Sequence, residues 1–344
     1  MIVVMQQDAA LENIERVMRR LTEHSLSGQI LQGEARTVIG VIGTPILPEL
    51  GSELESMGGV ERTLRVSKPY KLASREFHPQ RTLINVGEAT FGGDEFVVIA
   101  GPCSVENEDQ IIRTAHGVRE AGAKLLRGGA YKPRTSPYSF RGLGERGLEL
   151  LAKAREATGL PIVTEVLTPR DVAVVSAYAD ILQIGARNMQ NYLLLEEVGQ
   201  AKVPVMVKRG PGATIEEWLL AAEYVLNQGN PNVILCERGI RTFETATRNT
   251  LDLNAVAYAK RVSHLPVIAD PSHGTGKWQL VAPLSLASAA CGADGLILEV
   301  HCDPDRAMSD GGQSLNVANF RALMEQLAVV TGAVGRRLDN AVTA

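Results

Sequence analysis

In the first 66 residues, short apolar runs alternate with stretches whose apolar residues recur at helical spacing. Ile2 to Met5 is a short apolar run typical of a strand, and the apolar residues between Leu11 and Leu21 recur at helical spacing. We expect that helix to be capped by Asp8 and to continue to Glu23. Shorter patterns predict strands at residues 30–31, 37–42 and 60–66 and a helix at residues 48–57. The resulting order, βαββαβ, is that of a small α+β ferredoxin-like domain.

The periodic pattern stops after residue 66 and resumes after residue 81. Residues 67–81 hold two prolines and mixed charges, which is typical of a linker, and residues 82–92 have the pattern of a β-hairpin. From there to residue 335, short apolar runs alternate with amphipathic stretches, and residues 336–344 form a tail. The eight apolar runs are residues 96–100, 124–127, 161–166, 180–184, 204–208, 232–236, 266–269 and 295–300.

Continuous apolar strands that alternate with helices predict a parallel sheet with both faces buried. Eight such units predict an α/β protein whose residues 82–335 form a (β/α)8 TIM barrel. A doubly wound open sheet would produce the same alternation. The barrel is favoured because nearly every strand ends in charged or metal-binding residues, which a barrel would bring to one end. The main helices are expected at residues 109–121, 148–158, 215–227, 283–291 and 317–330.

Composition narrows the classes of function without pointing to one. With 45% hydrophobic and 22% charged residues and a formal net charge of -4, the chain is typical of a soluble globular protein, and we expect no nucleic-acid partner. No apolar run approaches the roughly 20 residues that span a bilayer, so no membrane association is expected. The four cysteines are widely spaced, which favours reduced thiols and a cytoplasmic protein.

Cations concentrate at the predicted strand ends. Arg127, Lys132 and Arg134 fall within eight residues of a polar loop that follows a short strand, and further cations end later strands. Crowding them at one end of a barrel is unfavourable unless a polyanion binds there, because guanidinium and ammonium groups repel each other. Alternatively, some of them pair with Glu165 or Glu237 as part of the structure. The predicted anion-binding set is Arg127, Lys132, Arg187, Lys208 and Arg238.

A second set of strand-end residues has the chemistry of metal ligands. Cys103, His273, Glu299 and Asp310 would supply a thiolate, an imidazole and two carboxylates. Such a mixed set suits a divalent transition metal, Mn, Fe, Co or Zn, better than Mg. Each residue taken singly has an ordinary explanation as a core or solvated side chain. Their joint placement at different strand ends favours the metal site.

Five segments resemble one known family. GPCSVE, GGAYKPRTSPYSFRG, IGARNMQN, VMVKRG and ADPSHGTGK are similar to the type I 3-deoxy-D-arabino-heptulosonate 7-phosphate (DAHP) synthases, over residues 91 to about 334. The first domain resembles the branch of that family with a ferredoxin-like feedback sensor. The related 3-deoxy-D-manno-octulosonate 8-phosphate synthases carry an Ala-Asn pair after the loop lysine, whereas Pro133 and Arg134 stand here. The resemblance therefore favours the heptulosonate enzymes.

This resemblance implies an activity and roles for the residues. A DAHP synthase condenses phosphoenolpyruvate with erythrose 4-phosphate and water, the first step of the shikimate pathway and of aromatic amino acid biosynthesis. Phosphoenolpyruvate would contact the five cations named above, and Asp270 would lie near the acceptor's hydroxyls or the metal. Lys132, Cys103 and His273 would be catalytic. The acceptor's phosphate would bind to the loop residues Pro133, Arg134, Thr135 and Ser136.

The resemblance also implies a homotetramer whose first domain binds an aromatic amino acid, tyrosine or phenylalanine, as a feedback inhibitor. An oligomerisation module is the alternative role for that domain. Two other functions compete with the heptulosonate synthase. One is the octulosonate synthase, which takes arabinose 5-phosphate as acceptor. The other is an inactive barrel kept as a regulatory partner, which the complete ligand and cation sets argue against.

Overall fold

The computed structural model describes residues 1–32, 36–43, 45–64, 69–133, 136 and 138–338, without the side chains of Gln32 and Pro48. The chain divides into two compact units. Residues 1–80 with 262–264 form the first, and residues 81–261 with 265–344 form the second. Within the described parts of both units, no helix is long and apolar enough to cross a membrane.

The first unit has the predicted ferredoxin-like order, with an antiparallel sheet in the order β2-β3-β1-β4. Helix α1 buries Ile14, Val17 and Leu21. The prediction that Asp8 caps this helix is wrong, because the helix begins after Ala10, which makes no side-chain hydrogen bond. The elements are β1 Ile2–Met5, α1 Leu11–Glu23, β2 Ser27–Gln32, β3 Thr37–Ile42, α2 Pro48–Glu55 and β4 Val60–Leu64.

The second unit is a closed barrel of eight parallel strands, which confirms the predicted TIM barrel and excludes the doubly wound sheet. The circle closes where the last strand pairs with the first. A hairpin precedes the barrel, formed by β5 Ile84–Val86 and β6 Ala89–Phe91. The barrel strands are β7 Val97–Gly101, β8 Leu125–Arg127, β9 Ile162–Val166, β10 Ile181–Ile184, β11 Val205–Lys208, β12 Val233–Glu237, β13 Val267–Ala269 and β14 Gly295–Glu299.

Helices follow the strands as the alternation predicted, with several boundaries shifted by one to three residues and one shifted further. The helix expected at residues 283–291 begins instead at Trp278, so that Pro283 lies inside it. Proline lacks the amide that would bond to the carbonyl one turn earlier, yet this helix accommodates it. The helices are α3 Glu108–Glu120, α4 Glu145–Thr158, α5 Val172–Ser176, α6 Tyr192–Gln200, α7 Ile215–Asn227, α8 Leu253–Val262, α9 Pro271–Thr275, α10 Trp278–Ala290 and α11 Val317–Ala333.

The inside of the barrel changes from apolar to polar along the strands. Hairpin residues such as Ile84 and Phe91 share one buried cluster with inward residues of the strands, including Ile99, Met206 and Ile297. Toward the carboxyl ends of the strands the buried side chains become charged or polar. These are Arg127, Glu165, Gln183, Lys208, Glu237 and Glu299. The apolar cluster therefore supports a layer of buried charge at the carboxyl end, where barrels place their sites.

Candidate active site

The carboxyl end of the barrel holds a cavity of about 510 Å³ whose lining includes six lysine and arginine residues. Four of the five predicted anion-binding residues line it, namely Lys132, Arg187, Lys208 and Arg238. The fifth, Arg127, is buried against Glu299, whose Oε1 lies 3.2 Å from its Nη2. The Nε and Nη1 donors of Arg127 are buried and have no hydrogen-bond partner among the residues that the structure describes. Buried donors of this kind are costly unless a ligand satisfies them.

The loop after β8 contributes to the same cavity. Pro133 and Ser136 line it beside Lys132. The other two residues predicted to bind the acceptor's phosphate, Arg134 and Thr135, lie outside the described residues. The described part of the loop therefore faces the cavity at which the cations converge.

Cys103, Glu299 and Asp310 bring one ligand atom each to within 4.8 Å of one another. His273 lies beside this group, with its Nε2 3.4 Å from Glu299 Oε1. That buried carboxylate oxygen also lies 3.2 Å from Arg127 Nη2, and it accepts no hydrogen bond from the residues that the structure describes. Asp310 adopts a left-handed backbone conformation, with φ of 53°, which non-glycine residues adopt rarely and often at functional sites. The four predicted ligands thus lie together and could hold a divalent metal.

Asp270 fixes both His273 and Lys208. It caps α9 by accepting from the His273 backbone amide at 3.0 Å, and its Oδ2 lies 2.8 Å from the ring atom Nδ1. Lys208 Nζ donates to the same oxygen at 2.5 Å. Burial lowers the pKa of His273, which favours the neutral ring. Because Nδ1 faces Asp270, the ring's lone pair is then on Nε2. Asp270 has no exposed surface, so its carboxylate serves these two residues in the structure.

Lys132 lies against the thiol of Cys103. Its Nζ donates to Cys103 Sγ at 3.0 Å and to the Cys103 carbonyl oxygen at 2.9 Å. Burial, together with the Glu299 carboxylate, raises the pKa of Cys103 to about 12, and the thiol donates to Asp310 Oδ2 at 3.0 Å. Burial alone would lower the pKa of Lys132, but Cys103 and Glu165 raise it above its usual value. Lys132 therefore stays charged between the thiol and the cavity.

Glu165 is an acidic residue among these cations. It lines the cavity, and Gln183 Nε2 donates to its Oε2 at 3.4 Å. A Cβ at Gly185 would lie 2.0 Å from Glu165 Oε1, so only glycine leaves room for this carboxylate. Burial raises the pKa of Glu165 although four cations oppose the shift. The sequence analysis considered Glu165 only as a pairing partner and did not select Gln183.

The segment that joins β12 to α8 supplies cations that the sequence analysis missed. We call residues 239–251 the 239–251 loop. Arg241, Arg248 and Asn249 of this loop line the cavity. Arg248 also approaches Asp310, with 3.5 Å between Nη1 and Oδ1. The only sequence signal for these residues was an excess of arginine in a segment without periodicity.

A buried ion pair holds both ends of the 239–251 loop. Glu237 Oε1 accepts from the amides of Gly239 at 2.6 Å and Asp252 at 3.3 Å. Arg209 Nη1 pairs with Glu237 Oε2 at 3.0 Å and with Asp252 Oδ2 at 2.9 Å. The pairing predicted for Glu237 therefore exists, but its partner is Arg209 and not one of the five anion-binding cations.

We predict that Arg209→Met lowers the free energy of unfolding by about 3–5 kcal/mol, because it leaves Glu237 buried without its counter-ion. Urea unfolding followed by tryptophan fluorescence measures the change. Arg241→Met, which removes an exposed arginine from the same region, is the control and should shift the free energy by less than about 0.5 kcal/mol. Equal stability of the two variants would contradict the assignment.

Comparison with known proteins assigns the chain to a family. The family model "DAHP synthetase I family" matches residues 78–334. The chain belongs to the DAHP synthetase I family. A second model, "DAHP synthase ferredoxin-like domain", matches residues 1–68. The family resemblance found in the sequence motifs is thereby confirmed.

Individual relatives fall into two groups. The chain is 50% identical to the Phospho-2-dehydro-3-deoxyheptonate aldolase of Thermotoga maritima, over 98% of this chain and 100% of that protein. A 2-dehydro-3-deoxyphosphooctonate aldolase of Syntrophotalea carbinolica is 34% identical over 73% of this chain and 96% of its own. The crystal structure of the Thermotoga DAHP synthase superimposes with a TM-score of 0.78 and covers 98% of both chains. The Thermotoga relative thus matches nearly the whole of this chain, whereas the Syntrophotalea relative matches 73% of it.

Proposed function

We propose that this protein is a DAHP synthase, which condenses phosphoenolpyruvate with erythrose 4-phosphate and water to give 3-deoxy-D-arabino-heptulosonate 7-phosphate and phosphate. The observation that carries the proposal is the set of four predicted cations that line one cavity, with the fifth, Arg127, buried beside Glu299 and holding two donors that have no hydrogen-bond partner among the described residues. Phosphoenolpyruvate carries a carboxylate and a phosphate on three carbons and matches such a site. The full-length similarity to the Thermotoga enzyme supports the same assignment.

We assign roles to the residues from the family resemblance and, for the described residues, from their contacts. Arg127, Arg187, Lys208 and Arg238 bind the phosphate and carboxylate of phosphoenolpyruvate, and Lys132 binds it beside Cys103. Asp270 serves the acceptor indirectly, because it holds Lys208 and His273 in place. Arg134, Thr135 and Ser136 bind the acceptor's distal phosphate. This arrangement sets carbon 3 of the enol against the aldehyde carbon of erythrose 4-phosphate.

Bond formation then proceeds without a covalent link to the enzyme. Carbon 3 attacks the aldehyde, water adds at carbon 2, and phosphate leaves from the resulting hemiketal. Cys103, His273, Glu299 and Asp310 would hold Mn, Fe, Co or Zn, which would supply a Lewis acid for the aldehyde oxygen. The mixed donor set supports that assignment, as does the buried Glu299 Oε1, which accepts no hydrogen bond from the described residues. The cations around the cavity stabilise the negative charge of both phosphates throughout.

Phosphate release with each of two aldoses tests the proposal. We expect turnover with phosphoenolpyruvate and erythrose 4-phosphate and little with arabinose 5-phosphate. A preference for arabinose 5-phosphate would instead identify an octulosonate synthase, and the Syntrophotalea relative with that type of name is 34% identical to this chain over 270 residues. Absence of phosphate release with both acceptors, in the presence of each candidate metal, would overturn the enzymatic assignment.

We also propose that the first domain regulates the barrel in a homotetramer. Every residue assigned above to the reaction lies in the second unit, whereas residues 1–66 contain no such cluster among the part that the structure describes. A regulatory ligand shifts activity only if it binds one arrangement of the protein better than another. Tyrosine or phenylalanine is the proposed effector, bound between the small domains of neighbouring subunits.

Deleting residues 1–66 should leave condensation running and remove inhibition by aromatic amino acids. The reason is that the deletion removes the proposed effector domain and spares the cavity. Steady-state rates with and without tyrosine or phenylalanine, measured for the full chain and for the deletion, give the answer. Inhibition that survives the deletion, or that the full chain never shows, would leave oligomerisation as the role of this domain.

A further inference from the structure

Gln313 is a buried amide that bridges a carboxylate and a guanidinium. Only 3% of its surface is exposed, in the segment that follows β14. Its Nε2 donates to Glu299 Oε2 at 2.7 Å, and its Oε1 accepts from Arg248 Nη1 at 2.8 Å. An ionised carboxylate only accepts and a guanidinium only donates, so the two partners together fix which way the amide faces.

The bridge determines which oxygen of Glu299 remains available. Because Gln313 bonds to Oε2, the other oxygen, Oε1, is left facing Arg127 Nη2 at 3.2 Å and His273 Nε2 at 3.4 Å, and it accepts no hydrogen bond from the described residues. Glu299 is therefore oriented to offer one oxygen to the group that it forms with Cys103 and Asp310. A hydrogen bond to the second oxygen is a common device for orienting ligating carboxylates.

Two consecutive residues of the 239–251 loop contact the other members of this group. Arg248 Nη1 lies 3.5 Å from Asp310 Oδ1, in addition to its bond to Gln313. Asn249 Nδ2 donates to the His273 carbonyl oxygen at 2.9 Å. Arg248 and Asn249 thus reach Asp310 and His273 directly and Glu299 through Gln313.

We propose that Gln313 and Arg248 are positioning residues that hold Glu299 and Asp310 in the arrangement that binds the divalent metal. This inference rests on the metal site of the proposed function. Neither residue contributes a ligand atom, and both act through hydrogen bonds to residues that do. Loss of such supporting bonds typically weakens metal binding by about 10–100-fold.

The direction in which metal affinity changes when Arg248 is replaced separates a positioning role from simple electrostatics. If Arg248 acted only through its charge, removing it would strengthen the binding of a cation, because like charges repel. If Arg248 holds Gln313 and Asp310 in place, removing it weakens binding instead. Arg241 lines the same cavity and belongs to the same loop, so Arg241→Met removes an equal charge without that pair of contacts.

The experiment measures Co²⁺ affinity by competition with a chromophoric chelator, together with the visible absorption spectrum of the bound Co²⁺. The proteins are the full-length wild type, Gln313→Met, Arg248→Met, the double variant and the Arg241→Met control. We expect Gln313→Met to weaken binding about 10–100-fold and to change the spectrum. Arg248→Met should weaken binding by a smaller factor, Arg241→Met should not weaken it, and the double variant should lose less than the product of the two single effects.

The outcomes distinguish failure of the proposed metal site from failure of the positioning role. If the wild type fails to bind Co²⁺, the metal site of the proposed function is wrong and the positioning role falls with it. If the wild type binds but Gln313→Met binds equally well, the positioning role alone is wrong. Tighter Co²⁺ binding by Arg248→Met would also overturn the positioning role. The Arg248 side chain is 39% exposed, so its substitution does not disturb the core.

Discussion

Alanine in place of Cys103, or in place of His273, is expected to abolish turnover. Both side chains offer ligand atoms beside Glu299, whose buried Oε1 accepts no hydrogen bond from the described part of the chain. A metal that polarises a carbonyl contributes several kcal/mol to the transition state, and each 1.36 kcal/mol is a factor of ten in rate. We therefore expect a loss of at least about 10²–10³-fold in kcat for either variant.

Chelation provides the matching test on the unmodified enzyme. Removing divalent metal should inactivate the wild type, and adding Mn²⁺, Fe²⁺, Co²⁺ or Zn²⁺ should restore it. For the substitution of Cys103, the control is Cys291→Ala, because this half-buried cysteine lies at the end of α10 and does not line the cavity described above. Full activity in metal-free buffer, or an active Cys103→Ala variant, would contradict the metal assignment.

The architecture was predictable because each barrel strand is buried on both faces. Strands such as Ile162–Val166 and Val205–Lys208 are apolar along most of their length, so the eight-fold alternation is visible without any structural information. Boundaries were less predictable. Asp8 has the chemistry of a helix cap but lies in the turn that precedes α1, and Pro283 resembles a helix start but lies inside α10. Local propensity indicates where helices can begin, and packing selects among those positions.

The strand-end residues of the site were predictable for a topological reason. Parallel strands of a barrel end on the same side, so residues as distant in sequence as Cys103 and Asp310 could be expected to meet. Gln183 and Gln313 could not be found in this way, because a single amide in a strand or loop has no periodicity and no charge. Asp270 was predicted near the acceptor's hydroxyls or the metal, whereas its contacts with Lys208 and His273 depend on side-chain geometry that sequence does not specify.

Lys132→Ala and Arg134→Asn should affect different substrates, although the two residues are separated only by Pro133. Lys132 is buried in the cavity against Cys103 and is assigned to phosphoenolpyruvate. Its loss removes a charged contact from a buried side chain, so we expect kcat/KM for phosphoenolpyruvate to fall by at least about 10²-fold. Arg134 lies outside the described residues and is assigned to the phosphate of erythrose 4-phosphate by family resemblance.

Arg134→Asn should therefore raise KM for erythrose 4-phosphate by about 10–100-fold, because it removes a charge-assisted hydrogen bond worth about 1.5–3 kcal/mol. The KM for phosphoenolpyruvate should stay within a few-fold of the wild-type value. Steady-state kinetics with each substrate varied in turn measures the four constants. Arg134→Lys is the control, because it keeps the charge but loses the paired donors, and it should fall between wild type and Arg134→Asn. If both variants impair both substrates equally, the division of this loop between donor and acceptor is wrong, and Lys132 and Arg134 act on a shared phosphate.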